Sequence, residues 1–111
     1  MDERNAFKEE KIAERLRRAA AEFLEAESNK TALITVTRTE VSPDGKRASI
    51  YITVLPEERE AQALDFARRK STPFREHVKT NLKLRRIPFF SFEIDKGDKI
   101  LRKIDELGKN K

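Results

Sequence analysis

Eight cationic side chains, Arg68, Arg69, Lys70, Arg75, Lys79, Lys83, Arg85 and Arg86, fall between Ala67 and Pro88 with one acid, Glu76, among them. That segment carries a net +7 against +5 for the whole chain, so all the remaining residues sum to −2. The chemistry this suits is phosphate binding. A guanidinium meets phosphate oxygens as a planar fork and an ammonium as a point charge, and neutralising phosphates releases their condensed counterions. A solvated helix face is the plainer reading of a charge run, but an excess confined to one segment favours a phosphate surface. Arg75, Lys79, Lys83, Arg85 and Arg86 lead as contact candidates, with Arg68, Arg69 and Lys70 extending them. Arg38, Lys46 and Arg47 would widen the footprint, although solvated edge charge is the plainer account there.

Catalytic chemistry finds no footing. The chain has no cysteine, hence no thiol nucleophile, disulfide framework or Cys-based metal site. His77 is the only histidine and borders an apolar row with no ligand at metal spacing. Asp95 and Asp98 flank Gly97 and read as turn or loop residues rather than a general acid and base. Glycine-rich phosphate loops, HExxH and GxSxG are all missing from the sequence. No catalytic residue, metal or cofactor is therefore assigned. Tyr51 and Phe89 point away from the core by strand alternation and are of a type that stacks on bases, although a place under a helix or the tail suits Tyr51 equally well.

The elements that position the cations follow from hydrophobic period. At 111 residues the chain suits one domain, with roughly 60–70% of its unfolded surface buried on folding. It is 41% charged and 37% hydrophobic, but its apolar residues come in periodic blocks, which argues for a folded chain. Ile12, Leu16, Ala20, Phe23 and Leu24 predict a helix over 4–26, ended at Ser28-Asn29-Lys30. Seven bases against eight acids over residues 1–30 make that helix a poor phosphate magnet as a whole. Residues 31–41 and 46–55 alternate as two strands joined by the turn Ser42-Pro43-Asp44-Gly45, a hairpin.

Pro56-Glu57-Glu58 opens a second helix whose apolar arc is Ala63, Leu64, Phe66 and Ala67. Pro73 must stop or kink it, and Ser71 or Thr72 is placed to cap a new helix with the proline in its first turn. In that third helix Phe74, Val78 and Leu82 form the buried row, and Arg75, Lys79 and Lys83 form a second row at four-residue steps. Core packing thus aims the basic row outward. Residues 88–95 make the last strand, with Phe90, Phe92 and Ile94 facing inward. The division is residues 1–95 as the RNA-binding domain and 96–111 as a basic tail. In that tail Ile100, Leu101, Ile104 and Leu107 would make a short amphipathic helix, marginal alone. No apolar run reaches the ~18–20 residues that span a bilayer, and the N-terminus has no signal-peptide core; a cytoplasmic monomer is expected.

The order α-β-β-α-α-β is an α+β design, a three-stranded sheet covered by helices on one face. It is similar to the type II KH domain, an RNA-binding module whose GXXG loop clamps the backbone. This chain lacks GXXG, reading Arg69-Lys70-Ser71-Thr72-Pro73 at that place.

Four segments resemble the ribosome-binding factor A family. They are the first helix with Arg4, Lys11 and Ile12; the hairpin with Val41-Ser42-Pro43-Asp44 and Ala48-Ser49-Ile50-Tyr51-Ile52; Leu82, Arg85, Pro88, Phe90, Phe92 and Asp95; and the closing DKILRKIDEL. Where the family carries an Ala-x-Gly kink, this chain has Lys70-Ser71-Thr72. The resemblance implies a non-enzymatic factor that binds 16S rRNA on the free small ribosomal subunit during late maturation. It also implies neighbouring assembly proteins, including a GTPase that promotes release. The runner-up is a generic KH-like RNA-binding regulator of translation.

Overall fold

The computed structural model describes residues 3–109, with side chains from residue 10 onward except those of 106, 108 and 109. The side chains of Arg4 and Lys8, and residues 110 and 111 of the tail, lie outside the described residues. The order is α1 (Glu3–Glu27), β1 (Leu33–Val41), β2 (Arg47–Leu55), α2 (Glu60–Arg69), α3 (Ser71–Asn81), β3 (Phe89–Ile94) and α4 (Lys96–Lys109). A single 3₁₀ turn, Glu57–Arg59, leads into α2.

In α1 the three- and four-residue spacing buries Leu16, Ala19, Ala20, Phe23 and Leu24 against the sheet. Alternation in β2 sends Ala48, Ile50, Ile52 and Val54 into the same core. β2 is central: it pairs antiparallel with β1 and parallel with β3, in the order β1-β2-β3. A parallel neighbour needs a crossover, and α2 and α3 supply it. Phe74 stands at the middle of the core, fully buried, its ring centroid 4.8 Å from Phe90, 5.4 Å from Phe23 and 6.1 Å from Phe92. Gly45 turns the hairpin at φ +72°, a conformation glycine adopts without Cβ strain.

β1 contains a bulge: Val36 faces Ile52 and Arg38 faces Tyr51, so Thr37 is an extra residue with no opposite number. Beyond the bulge Arg38 lies on the outer face of the sheet, its guanidinium 3.8 Å from the centre of the Tyr51 ring.

The join between α2 and α3 departs from the sequence expectation. Lys70 alone serves as the end of one helix and the start of the next, at φ −92° and ψ 8°, and no side chain caps α3. Its amide donates to the Ala67 carbonyl (3.1 Å), and its own carbonyl accepts from Phe74 (2.9 Å). Ser71 and Thr72 therefore sit inside the first turn, one step too late for capping. A capping side chain serves the amide of the second or third helical residue, and here the third is Pro73, which has none.

The tail forms a helix of 14 residues, α4. Asp95 caps it, Asp98 pairs with Arg102 (3.2 Å), and Lys99 ties it to Glu57 (2.7 Å) and Glu60 (3.2 Å). These contacts offset the weakness of a short helix, yet Ile100, Leu101, Ile104 and Leu107 stay exposed.

Candidate nucleic-acid interface

The eight cations separate by what each guanidinium or ammonium already touches. Lys79, Lys83 and Arg85 are exposed, and among the described residues nothing hydrogen-bonds or pairs with them. Lys79 follows Val78 on α3, so burying Val78 turns it to water. Lys83 lies just past the end of the helix with φ +50°, a left-handed conformation that stops α3. Arg85 and Arg86 follow in the link to β3, where Arg86 Nη1 donates to the Asp44 carbonyl in the hairpin turn (3.2 Å).

Arg75 and Arg68 have a second task. The amides of Phe89 and Asp95 donate to Lys46 and Ile52 of the β2 side, at 2.8 Å each. In a parallel pair this points the odd-numbered backbone groups of β3 at β2 and the even-numbered ones outward. Arg75 Nη1 donates to the Pro88 carbonyl (2.7 Å) and Arg68 Nε to the Phe92 carbonyl (3.3 Å), both on that outer edge. Arg68 also meets Glu93 (3.4 Å). Arg69 pairs with Asp65 (3.3 Å), and Lys70 with Glu27 (3.4 Å) while lying 5.9 Å from the Phe66 ring centre.

The structure thus gathers one group and sets another apart. Arg86 reaches the hairpin turn through Asp44, and Arg75 lies beside Phe89, whose amide bonds the Lys46 carbonyl at that turn, where Lys46 and Arg47 are exposed as well. The turn's own acid is engaged: Asp44 accepts from the Ser42 hydroxyl (2.6 Å) and the Lys46 amide (3.0 Å), which hold its pKa below the ordinary aspartate value. Arg68, Arg69 and Lys70 lie farther along, each next to a carboxylate. Spacing along the chain shows Asp65 four residues before Arg69, but not Glu93 or Glu27, which are remote in sequence.

Two more residues carry polar roles that spacing missed. Arg15 Nη2 donates to the Leu82 carbonyl (2.6 Å), fastening α1 to the end of α3. Asp95, read as a turn residue, is 4% exposed and is the N-cap of α4: its Oδ1 accepts from the Asp98 amide (3.0 Å), and its carbonyl accepts from Lys99 (3.1 Å). A short polar residue directly after a strand and before an apolar period was the available signal. His77 lies at the core border, 5.5 Å from the Phe23 ring and within 3.3 Å of the Asn81 amide nitrogen. Among the described residues no group of three or more His, Cys, Asp or Glu is placed to hold a metal ion, and no helix is long and apolar enough to cross a membrane.

Comparison with known proteins gives a consistent result. The model of the family "Ribosome-binding factor A" matches residues 8–108. The ribosome-binding factor A of Macrococcus caseolyticus is 32% identical, covering 96% of this chain and 99% of that protein. The Staphylococcus epidermidis protein of the same description is 29% identical, over 96% and 97% of the two chains. Among solved structures, ribosome-binding factor A from Thermus thermophilus superposes with a TM-score of 0.70 at 26% identity, covering 78% of this chain and 94% of that one. A homology model of the Thermus factor, fitted into an electron cryo-microscopy map of its complex with the 30S subunit, gives 0.62 at 28% identity, over 72% and 87%.

Proposed function

Since this chain belongs to the ribosome-binding factor A family, we propose that it is a non-enzymatic factor that binds the small ribosomal subunit through 16S rRNA during late maturation. The observation that carries the reading is the trio Lys79, Lys83 and Arg85, three exposed cations without a protein partner among the described residues. Paired surface cations gain little from a second anion, whereas these three are free to neutralise phosphates. Arg75 and Arg86 each spend one guanidinium nitrogen on a backbone carbonyl, which leaves further donors of the fork for a phosphate. Arg68, Arg69 and Lys70 would join as a weaker margin. The Thermus factor's complex with the 30S subunit supports the choice of partner. The protein acts in the cytoplasm as a monomer, alongside other assembly factors including a GTPase.

Gradient sedimentation of tagged protein tests this. The expected result is co-migration with free small subunits and not with large subunits or assembled ribosomes. Migration with the large subunit alone, or with no particle, overturns it. Association with messenger RNA instead of subunits would favour a general RNA-binding regulator.

A further inference from the structure

Phe89 opens β3 on the outer face of the sheet and is 73% exposed. A lone exposed apolar side chain is ordinary on a protein surface. This ring, however, has cations on the residues next to it. The Arg75 guanidinium lies 5.1 Å from its centre. Arg47 is its register partner on β2 and so shares its face of the sheet. Its amide is bonded to the carbonyl of Lys46, and Arg86 is tied to the same turn through Asp44.

We propose that Phe89 is a stacking seat for an unpaired nucleotide of single-stranded RNA. One base lies on the open side of the ring, while the phosphates before and after it fall to Arg75 at the outer edge and to Arg47, Lys46 and Arg86 on the hairpin side. A planar ring flanked by cations on both sides matches the repeating base-and-phosphate pattern of a single strand. A duplex does not fit, because its bases are already stacked and paired. This inference rests on the RNA-binding reading above and adds to it the form of RNA at this end of the sheet.

The chain contains no tryptophan, so Phe89→Trp installs a unique fluorophore at the seat. Titration with a single-stranded oligoribonucleotide is expected to quench its emission at near wild-type affinity, and a duplex of equal length is expected to leave it unchanged. Phe89→Ala should weaken single-strand binding about 10-fold, with duplex affinity, salt dependence and thermal midpoint held, and Phe89→Leu should lose nearly as much. Full single-strand affinity in Phe89→Ala or Phe89→Leu, or no quenching in Phe89→Trp, overturns the seat. If Lys79→Ala with Lys83→Ala and Arg85→Ala still weakens both RNA forms in that case, the phosphate reading survives without it. Wild-type protein that binds neither RNA form ends both.

Discussion

The Thr37 hydroxyl donates to the Asp95 carboxylate at 2.5 Å, joining residues 58 positions apart. Thr37 is the residue that the β1 bulge inserts, and Asp95 is the cap of α4, so an irregularity in one edge strand steadies a helix beyond the other. Burial on its own would push the Asp95 carboxyl up. The hydroxyl, the Asp98 amide and the Arg38 guanidinium (3.3 Å) outweigh it, and its pKa lies below the ordinary aspartate value.

Asp95→Ala should cost about 1–3 kcal/mol, from the lost cap and from donors left facing no acceptor. Asp95→Asn should cost less, because an amide oxygen still accepts from Asp98. A carboxyl depressed in the fold contributes stability that is present above its unfolded pKa of about 4 and lost as pH falls through the folded value. Urea melts at neutral pH and in acid should therefore show wild type losing more stability on acidification than Asp95→Asn. Equal losses would remove Asp95 from the account of acid sensitivity.

The electrostatic reading fixes a slope. Neutralising ~4–6 phosphates makes log affinity for RNA fall against log salt with a slope of about −3 to −5. Alanine at Lys79, Lys83 and Arg85 together should flatten it by about 2–3, with little change in thermal midpoint, since these side chains hold nothing in the fold. An unaltered slope would move the RNA surface elsewhere, and α1 would be the next place to look.

Lys83 occupies a left-handed position that suits glycine. A side chain there costs roughly 1–2 kcal/mol, against about 0.5–1 kcal/mol for the extra unfolded freedom of glycine. Lys83→Gly is expected to stabilise the fold by about 0.5–1 kcal/mol in denaturant titrations while weakening RNA binding. Stability and affinity moving in opposite directions would mark a lysine retained for binding; a destabilised Lys83→Gly would refute this.

At the helix join, Ser71→Ala with Thr72→Ala should change stability by less than about 0.5 kcal/mol, as no hydroxyl caps α3. A loss above 1 kcal/mol would restore the capping explanation.

Period alone located Leu16, Ile50, Phe74 and Phe92 in the core, because burial of one face is a local property of helix and strand. The α2–α3 break was legible as well, through Pro73, but its mechanism was not: whether a hydroxyl caps depends on which residue leaves the helix, and one position decides it. Sorting the cations needed the third dimension. Helical spacing says that Arg68 and Arg75 leave the core, and cannot say that a strand edge waits beside them. The β1 bulge left no mark in the residues 36–38 themselves, so the bond from Thr37 to Asp95 was out of reach.

The guanidiniums of Arg68 on the Phe92 carbonyl of β3 and of Arg75 on the Pro88 carbonyl just before it have one more effect. An edge strand invites pairing by any extended segment that meets it, and here two of its acceptors are occupied and crossed by bulky charged groups. A peptide seeking to add itself as a fourth strand, or a second molecule joining edge to edge, would first have to evict both arginines. On this side the protein resists β-type self-association even when crowded, and a protein partner is left to dock by side chains rather than by main chain.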